Sequence, residues 1–138
     1  MTFDRRATLN ADDRARLLRA ADDRPLGERL LAHLVLGDGL TLAQAVAVRG
    51  SDVSDAAVTV TSKAGTRETR ALTSPAAELA RRAAQEAAPD AALVSGRSGR
   101  PLSRVAARKV LLGLARTSGV PVHSVHRLRA DRRTVAAA

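Results

Sequence analysis

The sequence predicts an α+β fold that is mainly α, a helical body carrying a small antiparallel β-sheet at one edge. Three observations predict it. Leu, Val and Ala recur at helical spacing between capping signals in five segments; the period switches once to strand-like alternation, between residues 57 and 72; and no repeat or linker divides the chain. Residues 1–8 are read as a flexible N-terminus and residues 9–138 as a single domain.

Asn10 precedes the first helix, over residues 11–21, where Asp12 and Asp13 set negative charge against the positive end of the helix dipole and Leu17 and Leu18 form the buried face. Pro25 sits near the start of the second helix, over residues 26–36, with Leu30, Leu31, Leu34 and Val35 on one side and Gly37-Asp38-Gly39 as its stop. A short third helix spans residues 42–48. Ahead of it, Thr41 and Gln44 spell a capping box: the Thr oxygen takes one orphan backbone N–H, and the Gln side chain bonds back to the cap.

Residues 57–61 and 67–72 carry β-branched side chains around Lys63-Ala64-Gly65-Thr66, which reads as a β-hairpin with a basic turn. Ser74-Pro75 opens a fourth helix to about residue 87, and residues 91–94 are expected to add a short strand. Residues 95–101 form a Gly/Arg loop. Ser103 then caps a fifth helix over residues 104–116, expected to bury Val105, Leu111, Leu112 and Leu114. After Gly119-Val120-Pro121 a last helical segment begins near His123.

At 138 residues and 45% hydrophobic content the chain can bury a core, but Phe3 is its only aromatic residue, so that core is built from Leu, Val and Ala. The absence of cysteine excludes disulfides and thiolate metal sites and fits a reducing compartment. No apolar run approaches the roughly 20 residues needed to span a bilayer, and the N-terminus lacks the apolar core of a signal peptide. The expected location is therefore the cytoplasm.

The net charge of +9 is unevenly spread. Residues 1–56 hold eight arginines against nine acids, whereas residues 57–138 hold 15 cations against five acids. Only Lys63 and Lys109 are lysines, so most of the charge is carried by planar forks suited to phosphate oxygens. Two readings of this composition stand side by side: a polyanionic partner, or an Arg/Ala-rich coding bias.

Four stretches, in order, decide between them. Gly39-Leu40-Thr41-Leu42-Ala43-Gln44-Ala45-Val46-Ala47-Val48 with Ser51-Asp52-Val53 comes first, then Ser62-Lys63-Ala64-Gly65-Thr66-Arg67 with Arg70-Ala71-Leu72, then Gly99-Arg100-Pro101-Leu102-Ser103, and last His126-Arg127-Leu128-Arg129. Together, over residues 9–135, they resemble the catalytic domain of the tyrosine recombinase (phage integrase) family: its G-L-R-x-x-E block, its lysine-bearing hairpin, its G-x-P-L-S loop and its H-x-L-R motif.

The resemblance implies a fold like the recombinase catalytic core and a duplex-DNA partner. In that family a tyrosine hydroxyl attacks the phosphodiester while two arginines neutralise the transition state, a hairpin lysine acts as general acid, and a histidine assists proton transfer. Here Thr41 stands at the first arginine and Gln44 at its acidic partner, and the 138 residues contain no tyrosine. A neutral hydroxyl cannot supply the permanently charged, bidentate fork. The segment after the H-x-L-R match is expected to be too short for the later G-H motif and the nucleophile helix, and the family's DNA-clamping N-terminal domain has no expected counterpart. The chain is thus read as a non-enzyme that binds double-stranded DNA.

By the same resemblance His126 and Arg129, on one helix face, point into a phosphate cleft; a solvated basic helix end is the other reading. Lys63, with Arg67 and Arg70 on the next strand, is either a DNA-facing ribbon or a solvated edge. Arg97, Arg100, Arg104, Arg108 and Lys109 are expected to be the main backbone contact, giving affinity and salt dependence rather than sequence choice. The near absence of aromatics disfavours stacking on single strands. No cofactor, metal, membrane or small-molecule substrate is expected, His123 is read as a cap or surface residue, and a monomer is favoured. The alternative function is a protein-interaction module that pairs with a full-length recombinase or another protein through its Leu/Val faces.

Overall fold

The structure, a computed structural model, describes residues 11–96 and 98–120. The first helix, α1 (Ala11–Ala20), carries Asp12 and Asp13 in its first turn and Arg19 in its last, both matched to the helix dipole, and buries Leu17. A single 3-10 turn leads to Arg24, which is extended. The second helix, α2 (Leu26–Ala32), starts at Pro25 and runs into a π-helical turn, His33–Gly37, closed by the Asp38 N–H on the His33 carbonyl at 3.0 Å. The predicted helix over residues 26–36 is therefore present, but its last turn is widened. Leu30, Leu31, Leu34, Val35 and Leu36 are all buried. Gly39, at φ 77, makes the left-handed turn out.

The third helix, α3 (Leu42–Ala47), begins at the Thr41 capping box, and a 3-10 turn, Gly50–Asp52, follows it. The sheet has three antiparallel strands in the order β1 (Val53–Ser54), β2 (Ala57–Thr61), β3 (Arg67–Ala71). The hairpin forms as its β-branched pattern predicts, and β1 adds a third strand of two residues to its edge. Val58 pairs with Arg70 and Val60 with Glu68, so these four side chains share the inner side of the sheet.

The fourth helix, α4 (Ser74–Glu86), takes Pro75 in its first turn and buries Ala76, Ala77, Leu79, Ala80 and Ala83. The fifth, α5 (Arg104–Ser118), is capped by Ser103 and ends at Gly119, whose φ of 76 is the left-handed cap that glycine provides. Helix α2 is central, packing on α1, α4 and α5, and α5 also lies against α1 and α3. Alanine takes many of the buried positions, and leucines supply most of the large side chains of the core.

Two expectations are corrected. Residues 91–94 form no strand: only Ala92 bridges Arg49, flanked by Leu93 N–H to the Val48 carbonyl at 3.0 Å and Gly50 N–H to the Ala91 carbonyl at 3.2 Å. The partner segment is confined between the end of α3 and the 3-10 turn at Gly50, which leaves room for one rung. Val105 is not in the core. It is 64% exposed, because it lies nine residues, about two and a half turns, before Leu114 and so on the opposite side of α5. Leu111 and Leu114 are buried as expected and Leu112 is half-buried. The Asn10 cap, the helical segment near His123, and Arg97, His126 and Arg129 lie outside the described residues.

Candidate nucleic-acid interface

At the start of α3, the Thr41 hydroxyl accepts the Gln44 N–H at 3.0 Å and the Gln44 side-chain oxygen accepts the Thr41 N–H at 3.1 Å. The predicted capping box is complete. Sequence reasoning missed a third bond: Gln44 Nε2 donates to the Thr61 carbonyl of β2 at 3.2 Å, tying the helix start to the hairpin. All of these groups border a groove of about 380 Å³ between α3 and the hairpin, with Lys63 at its rim. Thr41 and Gln44, at the positions where the resembled family has an arginine and an acid, spend their polar atoms on the protein itself. Lys63 is the one cation lining this groove among the described residues. No cluster of three or more metal-ligating side chains occurs among the described residues.

The three hairpin cations are not brought together. Lys63 is exposed at the turn, where Ser62 and Thr66 close the loop by a 2.8 Å backbone bond and Gly65 takes a φ of 85. Arg67 points outward but reaches back to Asp52 at 2.6 Å and to the Thr61 hydroxyl at 3.2 Å, although its own side chain is 57% exposed. Arg70, three residues on, faces the opposite side of the sheet. Its Nη2 donates to the Asp38 carbonyl at 3.1 Å, and its Nη1 is buried with no hydrogen-bond partner among the described residues. Arg67 and Arg70 are thus both engaged by the protein itself, and Lys63 is the cation exposed at the tip of the hairpin.

Asp38 explains where Arg70 goes. Its carboxylate accepts the Thr73 N–H at 3.2 Å and the Thr73 hydroxyl at 3.4 Å, which anchors the residue before α4. Burial pushes the Asp38 carboxyl above the usual range, and the Thr73 bonds and the Arg70 charge pull it part of the way back. His33, in the π turn, is shifted downward by burial; Asp22 opposes that shift and Arg29 adds to it.

The expected main contact surface is different in kind. Arg100, Arg104, Arg108 and Lys109 are all exposed, Arg116 continues the series one turn beyond Leu112, and α5 contains no acidic residue. None of these five has an ion-pair partner among the described residues. The helix and the loop before it are firmly seated. A Cβ on Gly27 of α2 would stand 2.4 Å from the Ser95 carbonyl oxygen, and one on Gly113 would stand 3.3 Å from Arg24, which pairs with buried Glu28 at 3.2 Å. Close glycine contacts thus fix the loop against α2 and α5 against the Arg24–Glu28 pair.

The sequence matches no protein-family profile and no curated protein. Solved structures do match the fold. The XerA recombinase superposes with a TM-score of 0.74 at 14% identity, over 94% of this chain and 49% of that one. The lambda integrase (residues 75–356) bound to DNA gives 0.69 at 21%, over 99% and 51%. The lambda integrase catalytic core gives 0.66 at 20%, over 95% and 81%. The chain spans about half the length of the first two and most of the isolated core. No helix among the described residues is long and apolar enough to cross a membrane. From the helix order, the three-stranded sheet and these superpositions, the chain has the fold of the tyrosine recombinase catalytic core.

Proposed function

We propose that this chain binds duplex DNA through the phosphate backbone without cutting it, as an architectural, nucleoid-associated or regulatory protein. The observation that carries the reading is the exposed, acid-free basic surface of α5 and its preceding loop, Arg100, Arg104, Arg108 and Lys109, which has no ion-pair partner among the described residues, on a fold shared with DNA-bound integrases. Lys63, exposed at the hairpin turn, adds a second point of contact, and by resemblance Arg97, His126 and Arg129 are further candidate contacts. Loss of cutting is supported by the Thr41–Gln44 box, which occupies the place of a charged fork with a neutral, internally bonded pair, and by the lack of any tyrosine in the 138 residues. The Leu/Val faces that an interaction module would use are largely spent in the core, which favours the DNA reading.

Anisotropy titration of labelled duplexes of random and fixed sequence, at two salt concentrations, tests binding. The expected result is weak, sequence-uniform affinity that falls steeply with salt, and no binding at low salt would overturn the proposal. Incubation with supercoiled plasmid tests inactivity: nicking, or a covalent protein–DNA adduct, would overturn that half.

A further inference from the structure

Among the described residues Val105 is the one large apolar side chain left exposed, at 64%. A lone exposed valine is ordinary on a protein surface; its setting is not. On α5, Arg104 and Arg108 are four residues apart and form one row, Val105 and Lys109 form the next, and half-buried Leu112 lies seven residues beyond Val105 on the same side. Going round the helix, the valine falls between Arg108 on one side and Lys109 on the other, on a helix with no acidic residue.

We infer that Val105 is a base-reading residue that contacts the C5-methyl of thymine in the major groove, with the cations on either side seated on the phosphates. This rests on the duplex-DNA reading above and gives it a sequence preference. The major groove, about 12 Å wide, admits an α-helix, and it alone displays the thymine methyl. Charge complementarity places the cations of α5 toward the two phosphate walls, which leaves the crest facing the base edges. An apolar side chain there has one apolar feature to meet. The other base edges offer hydrogen-bonding groups that valine cannot answer.

The test compares an A·T-rich duplex with the same duplex carrying deoxyuridine for thymidine, which removes the methyls and leaves the backbone charge unchanged. The intact chain should prefer the thymidine duplex by about fourfold per contacted methyl. In Val105→Ser the ratio should collapse to about one, with circular dichroism confirming the fold. Equal affinity of the intact chain for both duplexes, or a preference undiminished in Val105→Ser, overturns this inference and leaves the DNA-binding proposal standing. Failure to bind either duplex at low salt overturns the DNA-binding proposal itself.

Discussion

The hairpin and α5 carry similar charge in the sequence and present it very differently. In the hairpin, Arg67 is held by Asp52 and Arg70 is drawn under the sheet to Asp38, and Lys63 is the one of the three with no ion pair or hydrogen bond to hold it among the described residues. Along α5 and its loop, Arg100, Arg104, Arg108 and Lys109 meet no carboxylate among the described residues. Charge counted along a chain is thus not charge offered to a partner. The arginines consumed by the fold find their partners 15 and 32 residues away, where local composition gives no warning.

The sharpest way to break this contrast is at Asp38. Asp38→Ala removes the acceptor for the Thr73 N–H and hydroxyl and leaves the half-buried Arg70 without its opposing charge. The unfolding free energy should fall by about 1–3 kcal/mol in urea denaturation, with DNA affinity of the folded variant unmoved. An affinity loss without a stability loss would show that the Arg70 region faces DNA after all.

The reciprocal change is Arg104→Ala with Arg108→Ala. The slope of log affinity against log salt should become shallower by about two, equally for all sequences, while stability moves by less than about 0.5 kcal/mol. If affinity is unchanged, α5 is not the backbone contact. Arg67→Ala should fall between these in kind and below them in size. Its pair with Asp52 is more than half exposed on the arginine side, so solvent screening limits the stability loss to under about 1 kcal/mol, and the salt slope should hold.

The smallest effects are in pH. Because burial raises the Asp38 carboxyl in the folded state, its contribution to stability is full below the ordinary carboxylate range and is lost as pH rises through the raised value. His33 works in the opposite sense. Its lowered value means that its contribution is full above about pH 6.5 and is lost as pH falls through the folded value. Urea midpoints measured from pH 3 to 8 should show Asp38→Asn flattening the rise-linked loss and His33→Gln flattening the fall-linked one. Curves parallel to the parent's in both variants would refute the assignment.

Much of the fold was legible because its signals are local. Asp12, Thr41, Pro75 and Ser103 mark helix starts, Gly119 marks a stop, and the β-branched run 57–61 marks a strand; each acts within a turn of itself. The widened turn at His33–Gly37 and the single bridge at Ala92 were not legible, since both depend on what the neighbouring segment has room for.

Two of the site features were present in the sequence as periodicity. Arg67 and Arg70 are three apart in a strand and must face opposite sides, and Val105 is half a turn out of phase with Leu114. What the sequence could not supply was Asp38 as the destination of Arg70 or Thr61 as that of Gln44, because those contacts cross between elements.

The Thr41–Gln44 box couples two positions of the domain. An arginine at position 41 would cost the helix its cap, about 1 kcal/mol, and would leave the Gln44 N–H to find another acceptor at the mouth of the groove. A glutamate at position 44 would give up the bond that the glutamine donates to Thr61. Each of the two positions holds the other in place, so either change made alone leaves the helix start less stable. A neutral pair at the mouth of the groove is thus part of how the domain stands up.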